Sequence, residues 1–250
     1  MDAGENTEVL SSGTIVDRYE IDRVIGQGGM ATVYAVKHTL LGSRHAMKVL
    51  LEAHSGVGES LLQEGRLQAR LDPNYVVPVT DVVMVDGVPA LVMPLVEGCT
   101  LEDLLRSYEP APGEVASIMD AIVRGIASAH ENGIAHRDLK PSNVLLDVKH
   151  GRVRVRVADF GLARGDQESG AIRSDLFMGT PEYAAPEQFS DPSSVDGKAD
   201  LWAIGTILYH MTVGEMAFTG DSPSAIYRTL CTEGAKVHRM PELWRDLATE

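Results

Sequence analysis

His136-Arg137-Asp138-Leu139-Lys140-Pro141-Ser142-Asn143 places a carboxylate, an ammonium and a carboxamide inside one short loop. Asp138 can orient a hydroxyl or take its proton, and Lys140 can neutralise a phosphoryl oxygen. Asn143 can offer a side-chain oxygen to a divalent cation. Those are the three tasks needed to move a phosphoryl group onto an alcohol, a reaction in which catalysis is mostly positioning and charge neutralisation.

Outward from this loop the flanks read as regular structure. Residues 114–132 carry Val115, Ile118, Met119, Ile122, Val123, Ile126 and Ala129 at helical spacing and stop at Gly133, so the stripe is core. Downstream, Val144-Leu145-Leu146, a polar turn near Lys149-His150-Gly151 and residues 153–158 read as a β-hairpin. Arg152, Arg154 and Arg156 alternate within it. At period two they are expected on the wet face of one strand rather than in a nucleic-acid patch. Toward the N-terminus, residues 19–21, 24–25, 32–36 and 45–50 alternate as antiparallel strands, with Gly26-Gln27-Gly28-Gly29 among them. A dinucleotide fold would set such glycines between a strand and a helix. Here they lie strand to strand, where bare backbone N–H groups can approach phosphates.

Composition narrows the function classes. An apolar fraction of 44% and a charged fraction of 23% are ordinary for a globular chain of 250 residues. With 36 acidic against 22 basic residues the net charge is −14, which argues against non-specific nucleic-acid binding. Cys99 and Cys231 form neither a disulfide framework nor a zinc pattern, as expected of a reducing compartment. Residues 1–14 lack an apolar stretch, so no signal peptide is expected there. The longest uncharged helical run, 201–214, falls short of the roughly 20 residues a membrane span needs.

Six stretches in order carry a family resemblance. They are Gly26-Gln27-Gly28-Gly29-Met30-Ala31-Thr32-Val33, then Ala46-Met47-Lys48, the His136–Asn143 loop and Asp159-Phe160-Gly161. Gly179-Thr180-Pro181-Glu182-Tyr183-Ala184-Ala185-Pro186-Glu187 and Asp200-Leu201-Trp202-Ala203-Ile204-Gly205 complete the set. From Tyr19 to the last residue the chain resembles the catalytic domain of eukaryotic-like serine/threonine protein kinases, and its glycine-loop wording is most similar to the bacterial branch. Ala31 stands where the family pattern has a third glycine.

The resemblance implies an α+β bilobal fold. A disordered leader over 1–17 is expected, then an antiparallel β N-lobe with one helix over 18–96. A mainly helical C-lobe over 97–250 would follow, with its last helices incomplete. ATP would lie between the lobes, its phosphates under Gly26, Gln27, Gly28, Gly29 and Val33 and its adenine against Ala46 and Leu145. Met93 would guard the back of the pocket, while the Pro94 carbonyl and the Val96 N–H would serve as hinge contacts. Lys48 would hold the α- and β-phosphates, fixed by Glu64 or alternatively Glu59. Asn143 and Asp159 would hold Mg²⁺, and Asp138 would orient the acceptor hydroxyl beside Lys140.

Lys140 together with Thr180 favours serine/threonine acceptors, with Thr180 contacting Asp138 and Lys140. Arg137 would pair with a phosphorylated Ser169 or Ser174, or need no phosphate and pair with Asp166, Glu168 or Asp175. Glu187 would lack the arginine that the family places far downstream, and an uncompensated buried carboxylate would cost roughly 3–5 kcal/mol. Expected partners are protein substrates and a second copy for trans-autophosphorylation. The expected location is cytoplasmic, with sequence beyond residue 250 able to tether it to a membrane. A non-catalytic nucleotide-binding scaffold is the alternative reading. A small-molecule kinase is less supported, because Pro186-Glu187 and its loop serve a peptide substrate.

Overall fold

Six stretches fold as one antiparallel sheet: β1 (Ile15–Val16), β2 (Tyr19–Gln27), β3 (Ala31–His38), β4 (Arg44–Leu50), β5 (Asp81–Val85) and β6 (Val88–Pro94). Their order is β1-β2-β3-β4-β6-β5. The computed structural model describes residues 9–28, 31–50, 57–160, 180–191 and 194–246, with backbone alone for 57–60 and 64. Because strand side chains alternate, the sheet has two apolar faces. Tyr34, Val36, Met47, Val49 and Val92 fill one. Ala46, Leu91 and Met93 fill the other, together with Leu61 of α1 (Val57–Gln68), the helix that packs across β6. Gln68 is buried on that helix, and its amide nitrogen donates to the Val77 carbonyl at 2.7 Å, which satisfies a polar group where an apolar one is common.

The second half is mainly helical around a three-stranded sheet, β7 (Gly98–Thr100), β8 (Val144–Lys149) and β9 (Arg152–Val157), ordered β7-β8-β9. Its helices are α2 (Leu101–Leu105), α3 (Pro112–Glu131), α4 (Pro186–Ser190), α5 (Lys198–Val213), α6 (Pro223–Thr232) and α7 (Glu242–Arg245). Apart from Val123, which is 48% exposed, the stripe read from the sequence is the buried face of α3: Ile118, Ile122 and Ile126 share one core with Ile207 and Met211 of α5 and with Val144, Val157 and Phe160. No helix among the described residues is long and apolar enough to cross a membrane. The two halves join through residues 95–97 into β7. A Cβ on Gly98 would stand 1.8 Å from the Leu146 carbonyl oxygen, so this approach requires glycine.

Three expectations are revised. The leader does not run disordered to residue 17: β1 pairs with β2, and Gly13 and Thr14 exchange main-chain hydrogen bonds with Ile21 at 2.8 Å each. Arg156 does not share a wet face with Arg152 and Arg154. The end of β9 is covered by residues 75–77 and packs on α3, and there Arg156 is buried 3.4 Å from the buried Asp147. Glu187 has no cation within 4 Å among the described residues, yet it is only half-buried and keeps part of its hydration. The full cost of a buried lone carboxylate therefore does not fall on it.

Candidate active site

The loop between α3 and β8 is held from below by one carboxylate. Asp200, near the start of α5, is 1% exposed and accepts from the backbone N–H of His136 (2.8 Å), that of Arg137 (2.7 Å) and the ring of His130 (2.7 Å). Arg137 has a φ of 64°, the left-handed region that a non-glycine residue rarely adopts. His136 is fully buried, and burial lowers its pKa, so the ring is neutral. Its Nε2–H donates to the Ala158 carbonyl at 2.9 Å while Nδ1 accepts from the Asp138 N–H at 3.3 Å.

Two ion pairs face the cleft above this base. Lys48 on β4 sits 2.9 Å from Asp159, which follows β9, and Lys140 sits 2.8 Å from Asp138. Burial alone would raise the Asp159 carboxyl. The Lys48 ammonium, with Lys140 behind it, nonetheless holds it below the usual carboxylate range. Asp159 also has a positive φ, 60°. Asn143 ties the two pairs together: its Nδ2 donates to the Asp138 carbonyl and its own carbonyl accepts from the Ala158 N–H, both at 2.8 Å.

The apolar pocket residues also converge. Ala46, Met93 and Ala158 form one buried cluster, with Val33, Val96 and Leu145 packed at its rim. The Val96 N–H finds no backbone acceptor among the described residues, and Pro94 closes β6 opposite His45. In the glycine loop, Gly26 pairs with Val33, Gln27 pairs with Thr32, and the Gly28 N–H donates to the Ala31 carbonyl at 2.9 Å. Gly29, Ser169 and Ser174 lie outside the described residues, as do the side chains of Glu59 and Glu64, whose backbones belong to α1. Asp166, Glu168 and Asp175 lie outside them too. Thr180 lines the same small cavity as Arg137, Asp138 and Leu139, but neither Asp138 nor Lys140 is hydrogen-bonded to it.

One residue of the site went unread in the sequence. Gln188 on α4 donates through Nε2 to the Arg137 carbonyl at 2.8 Å, while its Oε1 accepts from the Ala185 N–H at 2.9 Å. It thus joins the segment after Thr180 to the Asp138 loop. The signal was present as a carboxamide at the third position of the helix that begins at Pro186, where such side chains cap.

The chain is similar to known proteins in sequence and in fold. Residues 19–248 match the family described as protein kinase domain. The DNA damage-responsive serine/threonine-protein kinase RqkA of Deinococcus radiodurans is 39% identical over 87% of this chain and 33% of its own length. The probable serine/threonine-protein kinase PknB of Corynebacterium glutamicum is 35% identical over 85% of this chain and 34% of its own. The chain thus spans about a third of the length of these curated relatives. Among solved structures, Rad53 in complex with AMP-PNP superposes with a TM-score of 0.72 at 25% identity, covering 93% of this chain and 57% of that one. The kinase domain of Mycobacterium tuberculosis PknI gives 0.66 at 26%, covering 96% and 97%.

Proposed function

The chain belongs to the protein kinase domain family, and from that membership we propose that it transfers the γ-phosphoryl group of ATP to serine and threonine hydroxyls of proteins. The observation that carries the reading is the double tether of Asn143, which holds the Asp138–Lys140 pair and the Lys48–Asp159 pair in one cluster.

The adenine would enter the apolar cluster of Ala46, Met93 and Leu145, with the Pro94 carbonyl and the Val96 N–H at its edge. Gly26, Gln27, Gly28, Gly29 and Val33 would cover the phosphates. Lys48 would leave Asp159 for the α- and β-phosphates, and Glu64 is assigned to hold it there. The donor set fits Mg²⁺. Asp159 and Asn143 offer hard oxygens, and the Asn143 nitrogen is already committed to Asp138, which leaves its oxygen for a cation. Bound there, the ion would neutralise charge on the phosphate oxygens. Asp138 accepts the acceptor hydroxyl's hydrogen bond and aims its oxygen. Lys140 screens the charge that develops during transfer. Arg137 is assigned to an activation-loop phosphate on Ser169 or Ser174, placed by a second copy of the chain. The cytoplasm, which supplies ATP, is the proposed site of action.

Incubation with Mg²⁺, radiolabelled ATP and a generic basic protein tests the reading. Label on serine or threonine supports it. Nucleotide binding without transfer would favour the scaffold instead, and an unmodified 162–178 segment by mass spectrometry would remove the autophosphorylation arm.

A further inference from the structure

The hairpin of β8 and β9 carries a concentration of positive charge that the proposed chemistry leaves unused. Residues 147–156 hold Lys149, Arg152, Arg154 and Arg156 against one carboxylate, Asp147, in a chain of net charge −14. Asp147 is already engaged by Arg156 at 3.4 Å and Lys149 at 3.6 Å. Arg152 and Arg154 are exposed, and no carboxylate lies within 4 Å of either among the described residues. Burial lowers the Arg156 pKa, the Asp147 charge opposes that shift, and the neighbouring Arg154 charge adds a smaller lowering.

The same hairpin presents an open main-chain edge. β8 is paired on both sides, by β9 and by β7, and its Val148 N–H donates to the Glu97 carbonyl at 2.8 Å. β9 is the last strand of the sheet. Among the described residues only its end is covered: Val157 donates to the Tyr75 carbonyl at 2.8 Å and accepts from the Val77 N–H at 2.9 Å. Along residues 152–155 the outer side has no main-chain partner among the described residues. The turn is tight, with φ of 52° at His150 and 72° at Gly151, so the edge is held in shape before any partner arrives. On the face opposite the arginines, Val148 and Val153 form an exposed cross-strand pair, 48% and 62% accessible.

We propose that the outer edge of β9 takes up an extended acidic segment of a protein partner as an added strand, its alternate carboxylates facing Arg152 and Arg154 and its intervening apolar side chains lying beside Val153. A strand edge selects for a peptide, because its N–H and C=O groups can be matched only by another peptide backbone. Period two dictates an acidic–apolar alternation in the occupant. A polynucleotide or an anionic membrane would meet two free arginines on an otherwise acidic surface, too few to overcome the field of the whole chain. The inference rests on the kinase reading only in making the partner a substrate; binding itself does not require catalysis.

Fluorescence anisotropy with the purified chain tests it. The probe is a labelled peptide that alternates glutamate and valine, compared with its lysine–valine counterpart and a blocked sequence of the same composition. The alternating acidic peptide should bind with the highest affinity, weaken with added salt, and lose roughly fivefold to tenfold in the double variant Arg152→Ala/Arg154→Ala. Both residues are exposed, so the variant should melt like the parent. It should also phosphorylate a short generic peptide at the parental rate, and binding without any transfer would tell against the kinase reading alone. Equal binding of the blocked sequence, or unchanged affinity in the double variant, would overturn the docking edge. Tighter binding of a single-stranded RNA or of phosphatidylserine vesicles would overturn the choice of occupant.

Discussion

The Arg137 N–H donates to the Asp200 carboxylate at 2.7 Å, and that bond holds a non-glycine residue at a φ of 64° immediately before the proposed catalytic Asp138. A left-handed residue costs about 1–2 kcal/mol. The charge-assisted hydrogen bonds from His136 and Arg137 to one buried carboxylate are the kind strong enough to offset it. Asp200→Asn keeps the shape but turns an acceptor toward three donors into a partial donor. The expected result is a loss of roughly 3 kcal/mol in urea unfolding, together with a fall of about 100-fold in transfer rate as the loop shifts.

Gln188 joins the same Arg137 carbonyl to the segment that follows Thr180. Gln188→Ala removes one hydrogen bond without emptying a core. Steady-state kinetics should show kcat down about tenfold, equivalent to one such bond in the transition state, with the KM for ATP unchanged. A change confined to the KM for ATP would place its role elsewhere.

Gly98→Ala pushes a methyl group into the Leu146 carbonyl. Displacing that backbone should cost about 1–3 kcal/mol, read as a lower Tm. Nucleotide affinity should weaken too, because Gly98 follows the proposed hinge. A variant that melts and binds like the parent would show that the approach is not constraining.

The buried His136 gives a pH dependence whose sign is fixed. Its folded-state pKa lies below the ordinary value, so the unfolded chain binds the extra proton first. Stability should decline as pH falls below about 6.5, by up to about 1.4 kcal/mol per pH unit from this group, and level off below the folded-state pKa. His136→Phe should be less stable overall and lose that part of the slope, which urea titrations between pH 7 and 5 can measure.

Residue types with a single chemical use were the legible ones. Asp138, Asn143, Asp159 and Lys48 stand in stretches whose order and strand or helix setting carried the reading, and the structure brings Lys48 to Asp159 across 111 positions of sequence. The apolar periods of α3 and the first sheet were equally plain, because burial writes directly into spacing. Arg156 was misread because alternation assigns a face but not how far along the strand other segments, here residues 75–77 and α3, cover its end. The left-handed turns at Arg137 and Asp159 leave no trace, since neither residue type favours that conformation strongly enough to announce it. Gln188 was passed over because its partner is a main-chain carbonyl 51 residues away, which no local pattern encodes.

The claim on which the account turns is that Asp138 serves transfer rather than nucleotide capture. Nucleotide binding and phosphoryl transfer measured on one preparation of Asp138→Asn test it directly. The account predicts ATP affinity within about twofold of the parent and transfer to a basic protein reduced by roughly 10²–10⁴-fold. Transfer at the parental rate would contradict it.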